Sequence, residues 1–246
     1  MADYQTIRTV GAGARTAQID EGLRAHMNKV YGLMSVAMLV TGGVAWGVGS
    51  SPELLGIFRN PETMQPNILG WVVMFGPLAM VFAFGAMINR MSVAAAQLFF
   101  YAFAAVMGLS LAWIFQVFTG ASIASTFLVT SIAFASLSLY GYVTKRDLSG
   151  MGTFLMMGLV GLIVAMIVNM FLQSSGLAFA IPVIGVLIFA GLTAYDTQNI
   201  KTTYLQHAQA MDSDWLGKSA IMGALNLYMN FINLFMFLLQ FMGNRE

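Results

Sequence analysis

The chain contains no cysteine, which removes disulfides, thiolate nucleophiles and Cys-ligated metal centres together. Charge is nearly as scarce: Asp, Glu, Lys and Arg make up 9% of 246 residues, where a soluble domain carries about 25%. Eleven Lys and Arg stand against ten Asp and Glu, a net charge of +1 with no basic tract. The electrostatic footprint that nucleic acid requires is therefore missing, and no nucleic-acid partner is expected. GxSxG, HExxH and phosphate-binding loops are absent too, so no enzyme chemistry is indicated.

What fills the space is apolar. Hydrophobic residues account for 59% of the chain, and the 20 Met and 19 Phe are read as lipid-facing and helix-packing side chains rather than a binding surface. A hydrocarbon core of roughly 30 Å needs about 20 apolar residues in a helix. Seven such runs occur, at about 30–49, 69–88, 92–116, 121–143, 151–173, 177–196 and 219–242. The expectation is an all-α integral membrane protein, a seven-transmembrane-helix bundle (29–243) preceded by a cytoplasmic N-terminal tail (1–28). The first run has no clear small-residue cleavage site and is read as a retained span.

Charge asymmetry sets the expected orientation. With the N-terminus in the cytoplasm, Arg8, Arg15, Arg24, Lys29, Arg90, Lys145, Arg146, Lys201 and Lys218 are inside, and only Arg59 and Arg245 are outside. Trp46, Trp71 and Trp113 fall near the opposite, outer ends of their spans, where an indole prefers the interface.

Inside a membrane an unpaired polar group is costly, so polar residues there are informative. The seventh run, "LNLYMNFINLF", places Asn226, Asn230 and Asn233 at i, i+4 and i+7, with Gln240 seven further on. One helical face thus carries four amides, a pattern suited to the centre of a bundle, where they could serve as interhelical glue or line a polar pathway. In "GLTAYDTQNIK" (191–201), Asp196 ends the sixth apolar run. No Gly or Pro occurs from 197 to 210, so the helix is expected to continue past the acid, leaving it to face the bundle near the seventh span. A carboxyl withdrawn from water there is a proton-responsive group.

Other features have plainer readings. Pro77 permits a kink in the second span. Gly43 and Gly47 form a small-xxx-small pair expected to let helices pack closely. Thr126, Thr130 and Ser131 can bond their own backbone. His26 and His207, at opposite ends of the chain, are not expected to share a metal. "AYD" (194–196) matches half of an intramembrane aspartyl protease signature, but no GxGD aspartate follows, and Asn230 cannot act as acid or base. A retinal photoreceptor would need a lysine inside the last span, and Lys218 precedes it.

The stretches "TGASIASTFLVTSIAFASLSLYGYVTKRDLSGMG" (119–152), "FAGLTAYDTQNIK" and "ALNLYMNFINLF" (224–235) resemble the Bax inhibitor-1 family of bacteria. That resemblance implies seven spans around a central last helix and a pH-sensitive calcium leak of the inner membrane. It also implies kinship with a modulator of the membrane protease FtsH. The implied gate is a pair of acids sharing a proton, one in the sixth span and one in the seventh, near an arginine of the second. Asp196 matches the first acid and Arg90 is the nearest arginine by position, but the second acid is replaced by Asn230. An outer-side ion pair between the second and seventh spans is also unavailable, because position 240 is Gln. One Asp with amides cannot build a tight calcium site, since calcium takes six to eight oxygens, so no cofactor is expected and calcium binds weakly at most, as a permeant ion.

Overall fold

In hydrocarbon every backbone N–H and C=O must be satisfied within the chain, which leaves helices as the means of crossing for segments of this composition. The computed structural model describes residues 3–60, 63, 65–207, 210 and 212–244, with side chains from Ile19 onward. Its helices are α1 (Asp3–Gly49), α2 (Pro52–Gly56), α3 (Ile68–Met87), α4 (Val93–Leu111), α5 (Gly120–Val143), α6 (Ser149–Leu172), α7 (Ser175–His207) and α8 (Ser213–Met242). Short 3-10 turns extend α3 and α4 through Ile88–Arg90 and Ala112–Gln116. Among the described residues, seven helices are long and apolar enough to cross a membrane, and each coincides with one of the seven apolar runs.

Polar residues between the runs start the helices where the pattern calls for them. The side chains of Asn67, Ser92, Thr119 and Asp212 accept backbone N–H groups of Gly70, Ala95, Ser122 and Trp215. Each satisfies one of the donors that a helix start leaves free. The expected boundary at residue 28 is not marked by a break: α1 is continuous from Asp3 to Gly49. Pro77 lies inside α3.

α8 occupies the middle of the bundle. Of its most apolar window, 67% is buried, against 11% for α6 and 17% for α3, which lie on the periphery. α1, α4, α5 and α7 all pack on α8, whereas α6 packs chiefly on α7 and α3 on α4. Tyr228 anchors the assembly: it is fully buried, with Phe100 and Phe103 of α4 edge-on to its ring. Its hydroxyl lies 2.7 Å from Thr41 Oγ1, which lies 2.8 Å from the Ala104 carbonyl. Because Thr41 has one proton and gives it to Ala104, Tyr228 must donate to Thr41. One chain of hydrogen bonds thus ties α8 to α1 and α4.

Small residues set the closest crossings. A Cβ at Gly108 would stand 2.7 Å from the Thr41 carbonyl oxygen, one at Gly185 would meet the Phe237 ring at 2.6 Å, and one at Gly141 would run into the Ala194 backbone. Gly43 and Gly47, expected to be such contacts, are not: a Cβ on either meets nothing within 4 Å. Both lie on an exposed face of α1. The spacing is right, but the face is turned away from the neighbouring helices, which approach α1 through Ala37, Thr41 and Ala45 instead.

The two ends differ in chemistry as the charge pattern anticipated. Seven alternating spans place Arg24, Lys29, Arg90, Lys145, Arg146, Lys201 and Lys218 at one end. Arg59, with exposed Trp46, Trp71 and Trp113, lies at the other. The side chains of Arg8 and Arg15, and all of Arg245, are outside the described residues.

Substituting Gly141→Ala should lower the thermal midpoint of the detergent-solubilised protein by several degrees, since forced overpacking costs about 1–3 kcal/mol. Gly43→Ala and Gly47→Ala should leave it nearly unmoved. A melt followed by circular dichroism distinguishes the two cases, and equal effects at Gly141 and Gly43 would contradict the assigned contact faces.

Candidate functional site

α7 reaches the site without interruption. Thr193 and Thr197 return their hydroxyl protons to the carbonyls of Phe189 and Thr193, at 2.7 and 2.8 Å, which lets two polar residues sit fully buried in the helix. As expected, the helix continues beyond Asp196, ending at His207. The acid is thus a mid-helix residue.

Asp196 is half-buried and turns toward α8, where the amide nitrogen of Asn230 donates to its Oδ2 at 2.7 Å. Asn230 is 5% exposed. One to two turns either way the same seam is closed by apolar contacts: a Cβ at Gly223 would meet Ile200 at 3.0 Å, and Phe189 stacks on Phe237 with centroids 5.9 Å apart. The hydrogen bond is therefore a polar link set between two hydrophobic seals.

A second polar feature adjoins it. Thr197 Oγ1 lies 2.9 Å from Ser138 Oγ on α5, and Ser138 Oγ lies 2.5 Å from the Tyr31 hydroxyl on α1. Since Thr197 spends its proton on Thr193, Ser138 donates to Thr197 and Tyr31 donates to Ser138. The result is a directed chain across three helices, ending one residue from Asp196. Tyr31 and Ser138 line a cavity of about 540 Å³ between α1 and α5, together with Arg24 and Asn28. A second cavity of about 950 Å³ shares Tyr31 and Phe134 with the first and runs on to Trp46 and Gly120. Asp196 lines neither of these two cavities.

The amide stripe is divided by its surroundings. Only Asn230 is turned to a neighbouring helix; Asn233 donates to its own Met229 carbonyl at 2.8 Å, and Asn226 and Gln240 are exposed. Asn226, Asn233 and Gln240 share the one open face of α8 with Met222, Met229 and Met236. Centrality of α8 was expected from this stripe, but the faces that meet neighbours are built from Gly217, Ala220, Gly223, Ala224 and Tyr228 instead. Small residues admit a neighbouring helix closely, which long amides do not.

Arg90 is exposed at the end of the turn after α3. Val93, three residues on, meets Gly217 near the start of α8, and thirteen helical residues from there to Asn230 span about 20 Å. The structure does not bring Arg90 to the Asp196–Asn230 pair. His26 rests on the Tyr204 ring and His207 on the Trp215 ring, so the two histidines occupy separate stacks. Thr130 and Ser131 bond the carbonyls of Thr126 and Phe127, as their spacing implies.

Tyr31, Ser138 and Thr197 were not singled out from sequence. Part of the signal was present: Thr193 and Thr197 are four apart and flank the acid, marking a second polar face on α7. Nothing local indicates that Ser138 and Tyr31 complete it.

If the Asp196–Asn230 link holds the α7–α8 seam, Asn230→Leu should destabilise the protein by about 0.6–2 kcal/mol. In an Asp196→Leu background the same substitution should cost much less. Thermal or denaturant unfolding of the four proteins measures this coupling, and strict additivity would show that the bond contributes nothing.

Relatives align along nearly the whole length. A family profile described as "Inhibitor of apoptosis-promoting Bax1" matches residues 23–246. "Inner membrane protein YbhL" of Escherichia coli is 44% identical over 225 residues, 92% of this chain and 94% of that protein. An uncharacterised protein of Rickettsia prowazekii is 42% identical over 247 residues, covering all of both chains. Another from Caulobacter vibrioides is 42% identical over 97% of this chain and 96% of its own. With the seven spans, the buried last helix and these matches together, the chain belongs to the Bax inhibitor-1 family.

Proposed function

We propose that this protein is a pH-sensitive calcium (cation) leak of the bacterial inner membrane, oriented with the N-terminus and residues 1–28 in the cytoplasm. Asp196 is its proton-responsive residue and Asn230 its hydrogen-bond partner. The observation that carries the reading is the 2.7 Å bond between them across the α7–α8 seam, in a half-buried setting one residue from the Tyr31–Ser138–Thr197 chain. The location is supported by the printed name of the Escherichia coli relative, an inner membrane protein, and by the basic end of the bundle.

Asn230 makes this pair differ from two acids. Two neighbouring carboxylates repel unless they share a proton. A carboxamide instead offers a donor to an ionised Asp196 and, rotated by half a turn, an acceptor to a protonated one. The link survives both states, and what changes with pH is the charge presented to an ion. A single carboxylate with amide and hydroxyl oxygens holds calcium weakly, which suits permeation without trapping. In this reading Asn226, Asn233 and Gln240 offer oxygens along α8, and Arg90, remote from the pair, acts only on the field at the basic end.

A second reading, a non-transporting regulator that binds another membrane protein such as a protease, is favoured by the open face of α8. Asn226 and Gln240 are exposed there, and amides in lipid seek partners. Loss of a co-purifying membrane protein in Asn226→Leu/Gln240→Leu, with unchanged flux, would select this reading.

For the leak, calcium flux into proteoliposomes should vary with pH in the wild type and lose that variation in Asp196→Asn. In Asn230→Asp the midpoint should move by about one unit or more, because two carboxylates then interact. Identical flux and pH profiles in all three proteins would refute the proposal.

A further inference from the structure

At the basic end of the bundle, the α5–α6 connection and the cytoplasm-facing part of α7 enclose a polar cavity of about 360 Å³, within the usual size of small-ligand pockets. It is separate from the seam that holds Asp196 and Asn230. Lys145, Arg146 and Lys201 all line it, against one acid, Asp147. We propose that this cavity binds a phosphate-ester anion at the membrane edge, with Lys145, Arg146 and Lys201 as its cationic ligands.

The walls are fixed rather than loose. Gln198 of α7 holds the connection with both ends of its amide: its oxygen accepts from the Leu148 N–H at 2.8 Å, and its nitrogen donates to the Arg146 carbonyl at 2.7 Å. The backbone that carries Arg146 is thereby pinned to α7. Lys201 is aimed as well, donating to the Tyr142 carbonyl at 2.7 Å with its ammonium 5.1 Å from the Tyr142 ring centroid. An ammonium has three protons, so two remain for a ligand. On the far wall, Tyr195 packs its ring directly over Gly152, where no Cβ would fit.

Asp147, which stays ionised, offsets only one of these charges. Hydrogen bonds from the Ser149 hydroxyl and backbone amide hold its carboxyl below the usual carboxylate range, and the Ser149 N–H reaches its Oδ1 at 2.9 Å. Three cations and one anion leave the cavity with an excess of two positive charges. The only salt bridge formed among the described residues joins Lys218 to Asp214, so Lys145, Arg146 and Lys201 keep their charge available. Height in the membrane matches a phosphate too: α5 ends at Val143 and α6 begins at Ser149, which places the cavity at the headgroup level, where juxtamembrane cations attract anionic lipid.

The chemistry is shared by a lipid phosphodiester and by a soluble phosphate, and the test separates them. The full chain, purified in neutral detergent, is titrated with phosphatidylglycerol, with phosphatidylcholine of the same acyl chains, and with inorganic phosphate, and binding is followed by native mass spectrometry and by the thermal midpoint. Phosphatidylglycerol should bind in preference to phosphatidylcholine, and Lys145→Gln/Arg146→Gln should weaken it about tenfold or more. Lys145→Arg/Arg146→Lys should retain binding, and Lys218→Gln, a charge loss at the same end, should have no effect. Saturable binding of inorganic phosphate that the double Gln variant abolishes would support the site and identify its ligand as soluble. Equal binding of the two lipids without phosphate binding, or equal losses in the Lys218→Gln protein, would overturn it. Because Lys145 and Arg146 are exposed, their removal leaves the packed helices intact, which an unchanged ligand-free melt verifies.

Discussion

The architecture depends on burying one helix inside the others. Lipid supplies no hydrophobic force between apolar helices, so a central span must be held by close packing and by polar contacts that have no better partner elsewhere. α8 meets both conditions. Its small residues admit α4 and α7 at short range, and Tyr228 commits a hydroxyl to Thr41 that would otherwise be stranded in the interior. α1 and α4 are joined through the same proton chain, so three helices share one polar knot. The remaining spans can then be more weakly attached, and α6, mostly exposed to its surroundings, is held chiefly through α7.

α7 is therefore the helix through which the polar features communicate. Along one stretch it presents Thr197 to α5, Asp196 to α8 and Gln198 to the α5–α6 connection. Successive residues on a helix point about 100° apart, so three consecutive polar side chains reach three different neighbours. A cluster of this kind fixes the rotation of α7 more tightly than apolar packing alone, since each hydrogen bond tolerates only small changes of angle.

Much of this was legible in the residues, and the limits have physical causes. Span number, the continuation of α7 past Asp196 and the turning of that acid toward the last span follow from length, from the lack of breakers after 196 and from the cost of an isolated polar group in lipid, whereas Asn230 is picked out as its partner by the family resemblance. The packing faces do not. Gly43 and Gly47 have the spacing of a contact pair, yet spacing fixes only that two residues share a face and not which way that face turns. The amides of α8 share a face for the same reason, but only Asn230, at its edge, reaches a neighbour. The Tyr31–Ser138–Thr197 chain is made of bonds between residues 107 and 59 positions apart, and no local pattern encodes such a meeting.

The length of α7 has a mechanical consequence. From Asp196 to His207 the helix runs eleven residues, about 16 Å, with neither glycine nor proline to bend it. Near its tip, Tyr204 lies against His26 and packs where Gly22 leaves room on α1. Braced on α1 at its tip and unbroken down to Asp196, the segment is a stiff rod that ties the placing of the half-buried carboxyl to a contact about three turns away.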